Sequence, residues 1–418
     1  MVRRSALPNG LRVVTETMDG VPSVTIGIWV ESGSRFEPPH LGGISHFLEH
    51  LLFKGTERRS AARIAEEMDA VGGVLNAFTG KEYTCYYARV LAEHAALAMD
   101  LLEDLFLHSR LDPAEIDRER TVVLQEISQS EDTPDDHIHD LFNAHYWPAH
   151  ALGRPVCGTS ATVEALDRPQ FVDFLARRYR PGRLIIAAAG AIDHDAVEAW
   201  AARAFADLDG TASLVDGGPP APRAGIAVTE KPLEQVHLCL GMPGVAQAAA
   251  GRYAAYLLNT VLGGGMSSRL FQEIRERRGH AYSVYSFLSS YRDAGYLGIY
   301  VGTSAQWVDE VVAVIARELD VLAREGVRPD ELARAKTQLK GNMLLGLETS
   351  DSRMSRVAKN EIYHGRDVPI AELSAGIDAV TRDDLMALTT HLTRPEERAL
   401  ALLGDLGGRT IAADLLAS

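Results

Sequence analysis

Two histidines and a glutamate lie close together in the segment GGISHFLEHLLFKGT, residues 42–56. On a helix, side chains four positions apart lie on one face at roughly 6 Å, so His46, Glu49 and His50 share about a third of the circumference. Imidazole nitrogens bind zinc at about 2.0 to 2.1 Å, and a carboxylate beside the metal can take a proton from its water. The order H-x-x-E-H therefore predicts a zinc centre of the kind that peptidases use.

The alternative interpretation is a partly buried helix whose polar side chains make only ordinary hydrogen bonds. In that case the three polar groups would lie among apolar neighbours such as Phe47, Leu48 and Leu51. Burying an imidazole or a carboxylate costs free energy unless it has a partner. A shared metal ion supplies that partner, and the spacing favours the zinc centre.

A catalytic zinc ion needs a third protein ligand and one position that is open to water. The segment DRERTVVLQEISQS carries Glu119 and Glu126, which are seven positions and therefore two turns apart on one face of a predicted helix. One of them is expected to bind the metal, and the other to accept a hydrogen bond from an imidazole and orient it. The spacing alone does not decide which glutamate has which role.

The elements that must position these residues form a mixed α+β pattern. Residues 10–18 are predicted to form a strand, and residues 22–35, which alternate partly and are rich in valine and isoleucine, are predicted to form a second. Helices are predicted at 42–54 and 60–72, the second with Ser60 as its N-cap. A strand-like segment at 73–90 and two more helices follow, the later one beginning at Pro113.

The chain divides near its middle. Residues 209–225, DGTASLVDGGPPAPRAG, have the composition of a linker between domains at 1–208 and 226–418. Residues 163–193 and 377–407 are similar in order and character, which indicates an internal duplication. We therefore expect two related domains of the α/β-sandwich type, each a mixed sheet with helices packed on it. The second half has YLLNTVLGG where the histidine-bearing helix should lie, so only the first half is expected to bind metal.

Composition excludes several classes of protein. A net charge of −15 argues against nucleic acid as a partner. No stretch reaches the roughly 18 apolar residues of a membrane helix, and the first residues lack an export or import signal, so we expect a cytoplasmic protein that does not span a membrane. Cys85, Cys157 and Cys239 are odd in number and widely spaced, which predicts reduced, buried thiols.

With these residues in place, the chain resembles the pitrilysin-like inverzincin metallopeptidases over essentially its whole length. This superfamily includes mitochondrial processing peptidase and insulin-degrading enzyme, and the chain is similar to its short bacterial members. Glu126 follows His50 by 76 positions, as in the family pattern. The resemblance implies that His46, His50 and Glu126 bind one zinc ion per chain, that Glu49 is the general base, and that Glu119 is the supporting acid.

Two further segments carry the resemblance. NAFTGKEYTCYY is similar to the family's edge strand, in which the backbone of Asn76, Ala77 and Phe78 would pair with an extended peptide. Without the resemblance, the same segment could be an ordinary hairpin strand. LFQEIRERRGHAYSVYS is similar to the family's distal element, whose Arg275 and Tyr282 would contact the substrate backbone, with the Tyr282 hydroxyl stabilising the oxyanion. Read alone, Arg275 would be a surface charge.

The resemblance implies a zinc endopeptidase that hydrolyses unfolded peptides or short proteins in an enclosed chamber. Because family members enclose the substrate between four related domains and this chain supplies two, a dimer is implied. Both the zinc ligands and the Arg and Tyr element are present, which favours a homodimer over a heterodimer with a related subunit. Two alternatives stay open: a non-catalytic structural or assembly subunit of the same fold, and a zinc hydrolase that acts on a non-peptide amide.

Two other sequence patterns, a glycine-rich segment and a group of histidines, are weak indications of further binding sites. LGGGMSSRL suggests a phosphate-binding loop but lacks the Gly-Lys-Ser/Thr that such loops need, and in the resemblance it is a flexible glycine-rich segment. A second metal site at His137, His139, His145 and His150 is also conceivable. Their spacing fits no single helix face well, which favours solvated histidines.

Overall fold

The computed structural model describes residues 1–208, 210 and 217–416. The strands are β1 (Val2–Ala6), β2 (Arg12–Thr17), β3 (Ser23–Val30), β4 (Val74–Thr79), β5 (Thr84–Leu91), β6 (Leu184–Gly190), β7 (Gly225–Glu230), β8 (Val236–Pro243), β9 (Ala281–Ser290), β10 (Gly295–Thr303) and β11 (Ala399–Gly404). Residue 209 and residues 211–216 of the predicted linker lie outside the described residues.

The α-helices separate and cover these strands. They are α1 (Ile44–Leu52), α2 (Ala61–Asp69), α3 (Ala95–His108), α4 (Pro113–Glu131), α5 (Pro134–Tyr146), α6 (Ser160–Ala165), α7 (Arg168–Arg178), α8 (His194–Ala204), α9 (Arg252–Gly263), α10 (Val308–Glu325), α11 (Pro329–Leu345), α12 (Ser350–His364), α13 (Ile370–Ala379) and α14 (Arg382–Leu392). A π-helical turn spans Phe271–Glu276. In the described part of the chain, no helix combines the length and the apolar character that crossing a bilayer requires.

The chain forms two compact units, and each takes one helix from the other half of the sequence. Unit 1 comprises Met1–Gln129, Arg154–Asp216 and Gly346–Asp367, and unit 2 comprises Ser130–Gly153, Gly217–Leu345 and Val368–Ser418. The predicted limits 1–208 and 226–418 do not include this exchange. The helices are exchanged because α12 covers an apolar sheet face of unit 1 and α5 covers the corresponding face of unit 2.

Unit 1 is built on a six-stranded mixed sheet in the order β1-β2-β6-β3-β5-β4. β2 and β6 are parallel, and the other neighbours are antiparallel. Ile26 and Ile28 of β3 face a core shared with α1, α3 and α7, whereas Trp29 faces α12 and donates its indole N–H to the sulfur of Met354. Both faces of β3 and β6 are covered, which explains their nearly continuous apolar sequences.

Unit 2 repeats this topology. Its five-stranded sheet has the order β7-β11-β8-β10-β9, with β7 and β11 parallel and the other pairs antiparallel. Numbered from the first strand of each repeat, both sheets have the order 1-5-2-4-3, and β1 is an addition to unit 1. Helices α9, α10 and α14 pack on one face, and Phe142 and Tyr146 of α5 pack on the other. The predicted α+β class is confirmed.

Candidate metal centre

Helix α1 begins at a conformation that only a glycine adopts easily. Gly43 has φ of 92°, and a Cβ atom there would lie 2.5 Å from the carbonyl oxygen of Cys157. The buried Glu37 carboxylate accepts hydrogen bonds from the backbone N–H groups of Gly43 and Ser45, each at 2.8 Å. These contacts satisfy donors at the helix N-terminus that would otherwise be buried without partners, and they fix where the helix starts. Burial raises the pKa of Glu37 above its ordinary value.

The two histidines and Glu126 converge on one small volume. The Nε2 atoms of His46 and His50 both lie 3.5 Å from Oε2 of Glu126, and the three ligand atoms all lie within 4.8 Å of one another. Tetrahedral ligands at the usual zinc distances are about 3.4 Å apart, so the separations to Glu126 suit that metal. Within the described residues, no other group of three or more His, Cys, Asp or Glu side chains meets this condition.

The environment of the two imidazoles suits metal binding. Burial, and secondarily the neighbouring His50, lowers the pKa of His46 to about 4, so this imidazole is neutral at pH 7 and can act as a ligand. The Nδ1 atom of His50 lies 3.2 Å from Oε2 of Glu119, which directs its Nε2 atom towards Glu126. Among the described residues, Nδ1 of His46 has no hydrogen-bond partner.

The two glutamates of α4 take different positions. Glu126 is the carboxylate in the cluster, and Glu119 is buried behind His50, with its second oxygen 2.7 Å from Nζ of Lys54. The structure thus places the two glutamates differently, whereas the seven-residue spacing did not distinguish them, and their roles stay a prediction. A carboxylate that holds the far nitrogen of a ligating imidazole fixes both the tautomer and the ring orientation.

Glu49 lies outside the group of potential ligands and is hydrogen-bonded to the sheet. The hydroxyl of Thr79 donates to Oε2 of Glu49 across 2.5 Å. Burial raises the pKa of Glu49, and the hydrogen bond from Thr79 opposes that shift. A carboxylate beside a metal centre and outside its ligand set is free to exchange a proton with a bound water.

β4 is the edge strand of the unit 1 sheet. Asn76, Ala77 and Phe78 pair with Tyr87, Tyr86 and Cys85 of β5, and β4 has no neighbour on its other side among the described strands. The backbone N–H of Ala77 is bonded to Oδ1 of its neighbour Asn76 at 2.8 Å. The predicted edge strand is therefore present, and its pairing with a substrate stays a prediction.

Arg275 and Tyr282 lie together in unit 2. The guanidinium carbon of Arg275 is 4.6 Å from the centre of the Tyr282 ring, which is 80% exposed. The adjacent His280 stacks on Trp307 with ring centres 4.0 Å apart and lies 3.1 Å from Glu310, so this histidine has a packing role. The contact of Arg275 and Tyr282 with substrate stays a prediction.

The other histidine pattern does not form a cluster. His139 contacts the Tyr285 hydroxyl, His145 the carbonyl oxygen of Gly225, and His150 that of Gly218. These three imidazoles have separate partners, and neither they nor His137 belong to a possible metal-binding group among the described residues, so the alternative second metal site finds no support.

Sequence reasoning missed three contributors to the site: Glu37, Lys54 and Thr79. Lys54 follows His50 by four positions, a helical spacing that would have brought it to the same face. Glu37 and Thr79 come from loop and strand positions whose approach to α1 depends on the fold, and local spacing carries no signal for them.

A duplicated α+β fold that holds a His, His and Glu centre beside an edge strand is the architecture of an inverzincin-type metallopeptidase. The model of insulinase, peptidase family M16, matches residues 12–160, and the model of the peptidase M16 inactive domain matches residues 165–339. All the candidate metal ligands fall in the first match. The chain belongs to peptidase family M16.

Two relatives agree with this assignment. The chain is 45% identical to an uncharacterized zinc protease of Streptomyces coelicolor, covering 97% of this chain and 90% of that protein. It is 42% identical to the uncharacterized zinc protease YmxG of Bacillus subtilis, covering 97% and 99%.

Two solved structures share the fold. One is a peptidase M16 inactive domain from Pseudomonas fluorescens, with a TM-score of 0.91 at 20% identity over 98% of this chain and 99% of the other. The second is a protease from Helicobacter pylori, with a TM-score of 0.89 at 21% identity over 97% and 99%. At these identities the likeness concerns the fold alone.

Proposed function

We propose that the protein is a zinc-dependent endopeptidase that hydrolyses unfolded peptides and short proteins. The observation that carries this proposal is the convergence of His46, His50 and Glu126 within 4.8 Å, with Glu49 held beside them. The ligands come from two helices, α1 and α4, and match the donor set of catalytic zinc centres with two histidines and one glutamate. The relatives in Streptomyces coelicolor and Bacillus subtilis are both named as zinc proteases, which supports the choice of metal.

Glu49 performs the proton transfers in this proposal. A zinc ion held by the three ligands supplies Lewis-acid chemistry and a water that is acidic near neutral pH. Glu49 takes a proton from the attacking water and later delivers it to the leaving amine, which makes it both general base and general acid. Thr79 holds one carboxylate oxygen, so the other is free to face the water.

The edge strand β4 would bind the substrate as an added strand. Main-chain hydrogen bonds to Asn76, Ala77 and Phe78 do not involve the side chains of the substrate. Peptides of many sequences can therefore bind, provided that they are extended. From the family resemblance we also propose that Arg275 and Tyr282 contact the substrate backbone and that Tyr282 stabilises the oxyanion.

We propose a homodimer as the working form. The proposal depends on the family's four-domain chamber, of which this chain supplies two domains, and on the presence of both functional elements in one sequence. Light scattering coupled to size-exclusion chromatography measures the mass against the 45.4 kDa of one chain. A monomer at the concentration at which the protein is active would contradict this part of the proposal.

The experiment that tests the proposed function compares wild type, Glu49→Gln and Glu66→Gln. Glu66 is an exposed glutamate of α2 and provides the matched control. Each protein is analysed for metal content and assayed on a mixture of quenched peptides with and without a chelator. We expect about one zinc per chain in all three, and hydrolysis in wild type and Glu66→Gln only, with a loss of about 10²- to 10⁴-fold in Glu49→Gln.

The same experiment separates the alternatives. Wild type that binds zinc and cleaves no peptide would contradict the peptidase and support either the structural subunit or the non-peptide hydrolase, and a panel of non-peptide amides distinguishes those two. Glu49→Gln that hydrolyses peptides at the wild-type rate would remove Glu49 from the mechanism. The complete set of ligands and base favours the enzyme over the structural subunit.

A further inference from the structure

We propose that Lys54 is a positioning residue of the metal centre. Its Nζ atom lies 2.7 Å from Oε1 of Glu119, while Oε2 of the same carboxylate lies 3.2 Å from Nδ1 of His50. One glutamate is thus held at both oxygens by two side chains from the α1 segment. This inference rests on the proposed function, because it assigns Lys54 a task in holding the zinc ligands.

The surroundings distinguish this ion pair from an ordinary surface pair. The Glu119 side chain is 8% exposed and that of Lys54 is 32% exposed, so the carboxylate is largely screened from water and the lysine is partly screened. Exposed pairs contribute little because the solvent competes for both partners. Without the lysine, the contact that the described residues still give this carboxylate is the one with the His50 imidazole, and a buried charge with an incomplete set of partners is costly.

The contact has a directional consequence for His50. With Lys54 on Oε1, the carboxylate of Glu119 cannot turn away from the imidazole without breaking a charge-assisted hydrogen bond. Oε2 then accepts the Nδ1–H of His50, which leaves the lone pair on Nε2, the atom that faces Glu126. Lys54 therefore acts on the metal through Glu119 and His50 and does not touch the metal itself.

The contact also joins the two helices that supply the ligands. Lys54 lies just after the last turn of α1, where its backbone N–H is bonded to the carbonyl oxygen of Leu51. Glu119 lies on α4, two turns before Glu126. An ion pair between these helices fixes the separation of the histidines from Glu126, and metal affinity depends on that separation.

The test measures zinc affinity of the metal-free full-length protein by competition with a chromophoric chelator. Lys54→Met removes the charge and keeps much of the side-chain volume, and Lys54→Arg keeps the charge. We expect Lys54→Met to bind zinc about 10- to 100-fold more weakly and Lys54→Arg to recover most of that loss. Lys340→Met is the control, because Lys340 forms a 2.7 Å pair with the exposed Asp378 in unit 2.

A double-mutant cycle tests whether Lys54 acts through Glu119. If it does, Lys54→Met should weaken zinc binding by less than about twofold when Glu119→Gln is already present. Full additivity of the two losses would overturn the coupling. Equal affinity in Lys54→Met and wild type, or an equal loss in Lys54→Met and Lys340→Met, would overturn the proposal altogether.

Two further measurements keep the result interpretable. Far-UV circular dichroism and thermal unfolding of each metal-free variant show whether it is folded, and Lys54→Gln replaces Lys54→Met if the latter is not. Wild type that binds zinc but cleaves no peptide would contradict the proposed function and leave the effect of Lys54 on affinity measurable. Wild type that binds no zinc would overturn both.

Discussion

The hydroxyl of Thr79 donates a 2.5 Å hydrogen bond to the carboxylate of Glu49 and so joins the edge strand to the proposed general base. Thr79 is the last residue of β4, and Asn76, Ala77 and Phe78, the proposed substrate-pairing residues, belong to the same strand. The strand that would receive the peptide therefore also holds the group that would activate the water. Substrate binding and proton transfer depend on one element of secondary structure.

Replacement of Thr79 by valine should lower kcat and leave substrate binding nearly intact. Valine has almost the same shape but cannot donate, so the Glu49 carboxylate loses the contact that orients it. Hydrogen bonds to charged groups contribute about 1.5 to 3 kcal/mol, which corresponds to a decrease in kcat of roughly 10- to 100-fold. Steady-state kinetics on a quenched peptide and zinc analysis give the comparison, with KM and zinc content expected to be unchanged.

Two variants control this prediction. Thr79→Ser keeps the hydroxyl and should retain most of the activity. Thr121→Val removes an exposed hydroxyl of α4 that donates to the carbonyl oxygen of Asp117 in the same helix, and it should behave as wild type. A Thr79→Val enzyme with normal kcat, or one whose loss lies entirely in KM, would show that Thr79 does not orient Glu49.

Ala77→Pro tests the binding of peptide as an added strand. The N–H of Ala77 is bonded to the side chain of Asn76, and in the proposed binding mode a carbonyl oxygen of the substrate replaces that side chain as the acceptor. Proline removes this donor and is tolerated on edge strands. We expect kcat/KM to fall about 3- to 10-fold with unchanged zinc content, in line with the loss of one neutral hydrogen bond.

The control for this change is Ala77→Gly, which keeps the N–H. Its kcat/KM should stay within about twofold of wild type, because glycine in a strand affects stability more than hydrogen bonding. Thermal unfolding of both variants separates loss of binding from loss of the strand. An Ala77→Pro protein with wild-type kcat/KM would contradict pairing of the substrate at this position.

Much of the centre follows from local sequence because helical spacing is local. His46, Glu49 and His50 lie on one helix, and Glu119 and Glu126 on another, so the 3.6-residue period places each group without knowledge of the fold. The resemblance to the family predicts which glutamate is the ligand and which is the supporting acid. The structure places Glu126 with the histidines and Glu119 behind His50.

The parts that the sequence did not reveal are contacts between distant segments. Thr79 reaches Glu49 because β4 pairs at the edge of the sheet, and Glu37 reaches the start of α1 through a loop. The position of α12 in unit 1 depends on an apolar sheet face formed by strands that precede it by more than 150 residues. No periodicity within α12 identifies which sheet it covers.

The three cysteines should differ in reactivity. Cys85 and Cys239 are buried, and burial raises the pKa of both thiols, so neither forms the thiolate that reacts with alkylating agents at pH 8. Cys157 is only partly buried. We expect iodoacetamide to modify Cys157 first in the native protein and all three in urea, as measured by mass spectrometry of peptides. Equal native rates for Cys85 and Cys157 would contradict the packing around β5.

The exchange of helices predicts that the two halves of the chain cannot fold independently. A fragment of residues 1–208 lacks α12 and would expose Trp29, Cys85 and Ile185, which are buried against that helix in the full chain. The apolar surface that a whole packed helix buries contributes a free energy comparable to the roughly 5 to 15 kcal/mol by which domains are stable. Removing the helix should therefore unfold the unit. We expect this fragment to bind a hydrophobic dye and to unfold without a cooperative transition.

Co-expression with residues 217–418 should restore a folded complex, because that fragment carries Met354, Val357 and Ala358 of α12. Met354→Asp in the second fragment provides the control, since a carboxylate placed against Trp29 would prevent the helix from docking. Co-purification on a tag attached to one fragment and thermal unfolding of the complex give the readouts. If residues 1–208 alone unfold cooperatively at the temperature of the full chain, α12 does not contribute to the stability of unit 1.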